Sequence, residues 1–150
     1  MEYRGYDSSG VGVLKRGEDG AANVIQVVKR KGKIVNLQSA VSGGLEGTLG
    51  VAHTRWATHG AANDVNAHPH SSPDGQVCVV HNGVIENHSL LRSVLQAKGY
   101  KFKSETDTEV LANLIHDVRA NTPMLSPEEC VTAALSQVEG AFGIGVIFAD

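Results

Sequence analysis

The sequence predicts a layered α/β domain in which sheets pack against helices. Three observations carry this. Five short runs rich in β-branched residues are bounded by turn formers, three longer segments repeat apolar residues with a helical period, and two of the short runs are almost continuously apolar. Strands are expected at Val11–Leu14, Asn23–Lys29, Leu49–Thr54, Val77–His81 and Phe142–Phe148. The last two are the apolar ones. Such strands are covered on both faces, or on one face by a helix layer. The order runs from strands, through a strand and two helices, to a third helix and a strand. That order favours packed layers.

Each helix has its own start and stop signals. The first follows Asn87, a plausible N-cap, presents Leu90, Leu91, Val94 and Leu95, and ends at Gly99. The second opens Thr106-Asp107-Thr108-Glu109, which fits a capping box, and carries the stripe Val110, Leu111, Leu114, Ile115 and Val118. The third opens Ser126-Pro127-Glu128-Glu129, with proline at the first helical position. Cys130, Val131, Ala134, Leu135 and Val138 line its apolar face, and Gly140 is expected to stop it.

A chain of 150 residues suffices for one domain with a core, and 41% hydrophobic residues argue against global disorder. A net charge of −3 and a pI near 6.1 argue against a nucleic-acid surface. The only basic cluster, Lys29, Arg30, Lys31 and Lys33, reads as a solvated strand end or turn. No apolar stretch reaches the roughly 20 residues that cross a bilayer, and the N-terminus has no signal-peptide core, so a cytoplasmic location without membrane contact is expected. Cys78 and Cys130 have no CxxC spacing and read as small buried hydrophobes. Met1 stands directly before a polar turn, and Asp150 follows an apolar strand that needs a sheet partner. Truncation at both ends is therefore expected.

Chemistry concentrates at strand ends. His53–Gly60, HTRWATHG, holds two histidines, an arginine and the only tryptophan. The planar fork of Arg55 suits a carboxylate; the alternative is a surface arginine paired with a nearby acid. Asn82-Gly83 offers a side-chain amide beside an accessible backbone N–H, the makings of an oxyanion hole; the alternative is a tight Asn-Gly turn. Asp107 at a helix start is sufficiently explained by the helix dipole; the alternative is an anionic partner for a substrate ammonium. His68-Pro69-His70 invites a metal hypothesis, but no HExxH pair or matched Cys/His set supports one, so neither a metal nor a cofactor is expected. No nucleotide-binding glycine motif is present. Arg55, Asp107, Asn82 and Gly83 together suit an α-amino acid held by its head, with an oxyanion hole acting on its side-chain carbonyl.

EYRGYDSSG (Glu2–Gly10), HTRWATHG, NAHPH (Asn66–His70), HNGVIEN (His81–Asn87) and SETDTE (Ser104–Glu109) resemble, in order, the motifs of the glutamine:fructose-6-phosphate amidotransferase (glucosamine-6-phosphate synthase) family. The resemblance spans most of the chain. It implies an incomplete, α+β, four-layer αββα N-terminal-nucleophile (Ntn) hydrolase sandwich. The expected domain assignment is therefore residues 1–150 as a partial class II glutaminase domain, without the sugar isomerase domains. The implied reaction is attack by an N-terminal cysteine thiolate on the L-glutamine side-chain amide, with the α-amine as base. The ammonia released converts fructose 6-phosphate to glucosamine 6-phosphate at the sugar isomerase domain, on the route to UDP-N-acetylglucosamine. The resemblance further implies that Arg55 binds the glutamine carboxylate and Asp107 the ammonium. It makes Asn82 and Gly83 the oxyanion hole, with Thr58 and His59 lining the pocket, Trp56 near the route to the partner domain, and Arg4 beside the nucleophile. Full-length members are homo-oligomers. The motifs here are not preceded by the family's cysteine, so the chain is expected to hold a partial pocket and to be inactive alone. A non-catalytic glutamine-binding or regulatory fragment and a His-rich metal module are the competing readings.

Overall fold

The β-branched runs build two sheets. In a computed structural model that describes residues 6–57 and 60–150, β1 (Ser8–Lys15) pairs antiparallel with β2 (Val24–Lys31) on one side and β3 (Leu49–Arg55) on the other. The second sheet is β4 (His70–Ser71), β5 (Val77–Ile85) and β6 (Gly140–Phe148), again antiparallel with β5 central. The helices are α1 (Ile34–Ala40), α2 (His88–Ala97), α3 (Asp107–Asn121) and α4 (Pro127–Leu135). Antiparallel sheets with helices set to the outside make the domain α+β, as the resemblance implies.

The layers follow from which residues are apolar. Val77 and Val79 of β5 pack on Leu111 and Ile115 of α3, with Leu91 and Leu95 of α2 and Ala134 of α4 closing the same core. The opposite face of β5 meets the other sheet: Cys78 and Ile147 pack with Ile25, Leu14 and Val51. β5 is thus covered by helices on one face and by a sheet on the other, which is why its first residues read as a continuous apolar run. The short α1 lies against β1 and β2 and buries none of its residues fully. The order is therefore helix, sheet, sheet, helices.

Close packing of the sheets depends on glycine in β1. A Cβ on Gly10 would lie 2.1 Å from the carbonyl oxygen of His68. Its absence lets the His68-Pro69-His70 segment cross between the sheets.

Several boundaries differ from the sequence reading. β5 does not stop at His81 but runs to Ile85, so Asn82-Gly83 is extended strand rather than a tight turn. Gly83 pairs with Phe142 at φ 128°, and a Cβ there would sit 2.3 Å from the Ala141 carbonyl oxygen. β1 begins at Ser8, three residues before the apolar run that signalled it. α4 ends at Leu135, and Gly140 opens β6 instead of stopping a helix. The terminal strand β6 has its partner in β5. Asn87 makes no side-chain cap; its amide instead donates to the Gln137 carbonyl and accepts from the Glu139 N–H, tying α2 to the α4–β6 link. Thr106 caps Glu109 N–H, but Glu109 does not reciprocate, because its carboxylate accepts from Lys103 N–H and Ser104 N–H. Ser126 and Glu129 do form the full capping box. Within the basic cluster, Lys29 departs from a solvated strand end. Its ammonium donates to the Val65 carbonyl, and burial pulls its pKa down to about 8. Among the described residues, no helix is long and apolar enough to cross a membrane.

Candidate active site

β3 ends where β5 and α3 approach it, and a cavity of about 280 Å³ opens there. It is lined by Arg55, Trp56, Asn82, Gly83 and Asp107, and by His53, His68, His81 and Thr106. Five residues singled out from three separate segments of sequence therefore line one cavity. Arg4, Thr58 and His59 lie outside the described residues.

Arg55 is the last residue of β3 and is 4% exposed. Its guanidinium reaches Asp7 Oδ1 at 3.4 Å and the Gly60 carbonyl at 3.4 Å. Arg55 thus has an acid neighbour, as the alternative reading expects, but is buried against a cavity rather than spread on the surface. Asp7 also accepts from Ser8 Oγ at 2.8 Å and from the Ala57 N–H, so it fixes the backbone just after Arg55. Trp56 is 69% exposed at the rim.

Asp107 is the first residue of α3 and is buried. One carboxylate oxygen accepts from the Ile85 N–H at 3.0 Å, which joins the end of β5 to the start of the helix. The other lies 3.9 Å from His81 Nδ1 and 3.5 Å from Thr108 Oγ1. The helix N-terminus stabilises the negative charge at this position, and one oxygen keeps capacity for a further donor.

Asn82 is oriented by His53. His53 Nε2 lies 2.9 Å from Asn82 Oδ1, and an amide oxygen can only accept. The proton is therefore on His53 Nε2, and the Asn82 NH₂ is turned away from that bond, free to donate. Burial lowers the pKa of His53 and keeps the ring neutral, although the bond to Asn82 works the other way.

The histidines form a hydroxyl-linked network. Thr108 Oγ1 bridges His68 Nε2 and His81 Nδ1, each at 3.0 Å, and Thr106 Oγ1 meets His70 Nε2 at 3.0 Å. Burial, then the neighbouring imidazoles, pushes the pKa of His68 down to about 2. Burial, then Lys29, pushes His70 down to about 3. Burial also lowers His81, against the pull of Asp107. The rings are packed as neutral groups. Among the described residues, no three His, Cys, Asp or Glu side chains are grouped to hold a metal ion.

Comparison with known proteins gives this cavity a family. Residues 53–150 match the glutamine amidotransferase domain model, a span that holds every lining residue named above. The chain belongs to the glutamine amidotransferase domain family. It is 51% identical over 148 residues to the glutamine–fructose-6-phosphate aminotransferase (isomerizing) of Idiomarina loihiensis, and 48% identical over 148 residues to that of Clostridium acetobutylicum. Each match takes in 98% of this chain and 23% of the relative, so the chain spans about a quarter of the length of the curated relatives it matches. Among solved structures, glutamine phosphoribosylpyrophosphate amidotransferase from B. subtilis superposes with a TM-score of 0.76 at 24% identity, over 99% of this chain and 30% of that one. That likeness establishes the fold, the Ntn-type sandwich of two antiparallel sheets.

Sequence reasoning gave no site role of their own to Asp7, His53, His81 and Thr108, and weighed His68 only as a metal ligand. One signal was available. His53 and Arg55 stand two apart on a strand and so share a face. The Thr108 bridge had no signal, because it joins residues 40 and 27 positions apart.

Proposed function

We propose that this chain supplies the glutamine-holding part of a glutaminase domain, residues 1–150 of a longer amidotransferase of the glucosamine-6-phosphate synthase type. The observation that carries this reading is the single cavity shared by Arg55, Asp107, Asn82 and Gly83. It offers a cation for a carboxylate, an anion for an ammonium and two N–H donors for a carbonyl oxygen, the three polar features of L-glutamine. In this reading Arg55 takes the α-carboxylate and Asp107 the α-ammonium. The Asn82 amide and the Gly83 N–H receive the side-chain oxygen as it becomes negative. His53 holds the Asn82 amide in its donating orientation.

In the reaction, a thiolate adds to the side-chain carbonyl. The tetrahedral oxyanion collapses with loss of ammonia, and water hydrolyses the resulting thioester to glutamate. The two cysteines of these 150 residues are unsuited to the attack. Cys78 lies in the core between the sheets with its pKa pushed up to about 12 by burial, and Cys130 is fully buried on α4. Neither lines the cavity. The 150-residue chain is therefore proposed to bind L-glutamine without hydrolysing it. The nucleophile, the fructose 6-phosphate site and the homo-oligomeric contacts are assigned to the longer protein, with Arg4, Thr58, His59 and Trp56 completing the pocket and its exit.

The test combines calorimetry with an ammonia assay on this chain. Heat on adding L-glutamine, with no ammonia released, is the expected result. Ammonia release by this chain, whether or not it survives Cys78→Ala and Cys130→Ala, would contradict the assignment of the nucleophile to the longer protein, and absence of heat would contradict the pocket.

A further inference from the structure

A second cavity, of about 390 Å³, opens against a different face of α3 and shares no lining residue with the first. Glu109, Asn113 and His116 stand four and three apart, so they form one polar stripe on the helix, and all three line this cavity. Lys98, Lys101 and Lys103 approach from the α2–α3 connection.

The internal pairings are uneven. Lys98 is paired with Asp117 at 2.5 Å. His116 bridges Asp74 at 3.2 Å and Tyr100 Oη at 2.9 Å. The Glu109 carboxylate is filled by two backbone N–H groups and the Ser104 hydroxyl. Two features are left over. Among the described residues, neither Lys101 nor Lys103 has a carboxylate within ion-pair distance. Asn113, 2% exposed in a helix interior, has an Nδ2 with no acceptor. A buried amide donor without a partner is rare and destabilising, and asparagine is a weak helix former. The unmet donor finds an acceptor if the side chain turns its amide toward an oxygen entering the cavity. A neighbouring cavity of about 410 Å³ shares Ser71, Ser72, Lys103 and Glu109 and adds Lys29 and Asp64, so a charged lining continues beyond the first opening.

We propose that this cavity is a second small-molecule site that takes a compact dianion, a phosphomonoester or a short dicarboxylate, between the ammonium groups of Lys101 and Lys103 and the Asn113 amide. The two ammoniums match two negative charges, and the amide donates to one oxygen at the floor. The proposal does not depend on glutamine binding, since the two cavities have no residue in common.

The test is a ¹H–¹⁵N titration of the chain at constant ionic strength, in separate arms with inorganic phosphate, glycerol 1-phosphate and succinate. Saturable shifts at Lys101–Ser104 and at the Asn113 side-chain amide, with Asn82 and Gly83 unmoved, are expected. Response to both phosphates alone identifies a phosphomonoester site, and response to succinate as well identifies a general dianion site; either supports the proposal. The exposed double variant Lys101→Gln/Lys103→Gln should raise Kd by about tenfold or more, as loss of charge-assisted hydrogen bonds does. Asn113→Leu should weaken binding while leaving Tm equal or higher. Shifts that stay linear to about 20 mM ligand, or a Kd unchanged in the double lysine variant, would overturn the proposal.

Discussion

The two sheets have equal numbers of strands and very different cover. The sheet centred on β5 is backed by α2, α3 and α4, and Val77, Val79, Ile85, Leu111 and Ile115 are wholly excluded from solvent. Among the described residues, the sheet centred on β1 has only α1 on its outer side, and α1 buries no residue. Val24, Val35 and Leu49, all in that half, remain more than half exposed. Donors to the cavity divide the same way. Asn82, Gly83 and Asp107 stand on the densely packed half, while Arg55 and His53 arrive from β3 on the thin one. Asn82 and Gly83, the proposed oxyanion donors, therefore stand on the half with the buried core. The position of Arg55, the proposed carboxylate partner, depends on how one sheet sits on the other, and Asp7 is its local brace.

If that contrast is right, its largest signature is in stability. Ile115→Ala in α3 should cost about 2–5 kcal/mol, and Val27→Ala in β2 less than about 1.5 kcal/mol, by chemical denaturation. Equal costs would remove the distinction.

The next effect is on pH dependence. His68 and His70 titrate near 2 and 3 in the folded chain, below the ordinary value of 6.5. Between those limits the unfolded chain binds more protons than the folded one. The stability contribution is therefore fully present above about pH 6.5 and is lost as pH falls below it, with a slope of up to about 1.4 kcal/mol per pH unit per histidine. Denaturation curves from pH 7.5 to 4.5 should show this loss, and His68→Gln should flatten it. An unchanged slope in that variant would place the acid sensitivity elsewhere.

Gly83→Ala tests the strand at the cavity. With φ at 128° and a carbonyl oxygen in the way, it should cost about 1–3 kcal/mol. The smallest effect is expected on the solvent face of α2. Leu90 is 65% exposed on α2, and Leu90→Gln should change stability by no more than about 0.5 kcal/mol.

What could be read from the sequence follows the same division. α3 and α4 were legible because their N-caps are local: Thr106 and Ser126 each reach an N–H three residues on. β5 and β6 were legible because cover on both sides of β5 demands apolar runs. α1 was not, since a seven-residue helix without a side-chain cap or a buried residue leaves no periodic trace. Asn82-Gly83 misled in one of its two readings, because this residue pair also favours turns, and only the pairing of Gly83 with Phe142 decides for strand. The residue types in the cavity were legible; the bonds that aim them, Asp7 to Arg55 and His53 to Asn82, span 48 and 29 residues and were not.

The central claim is that Arg55 and Asp107 read the two ends of one amino-acid head group. It is tested most directly by calorimetry on wild type and Arg55→Gln, with L-glutamine and with 4-aminobutanamide, which keeps the amine and side-chain amide but lacks the α-carboxylate. Arg55→Gln should weaken L-glutamine by about tenfold or more, as loss of a charge-assisted pair does, and leave 4-aminobutanamide unchanged. Equal weakening of both ligands would contradict the claim.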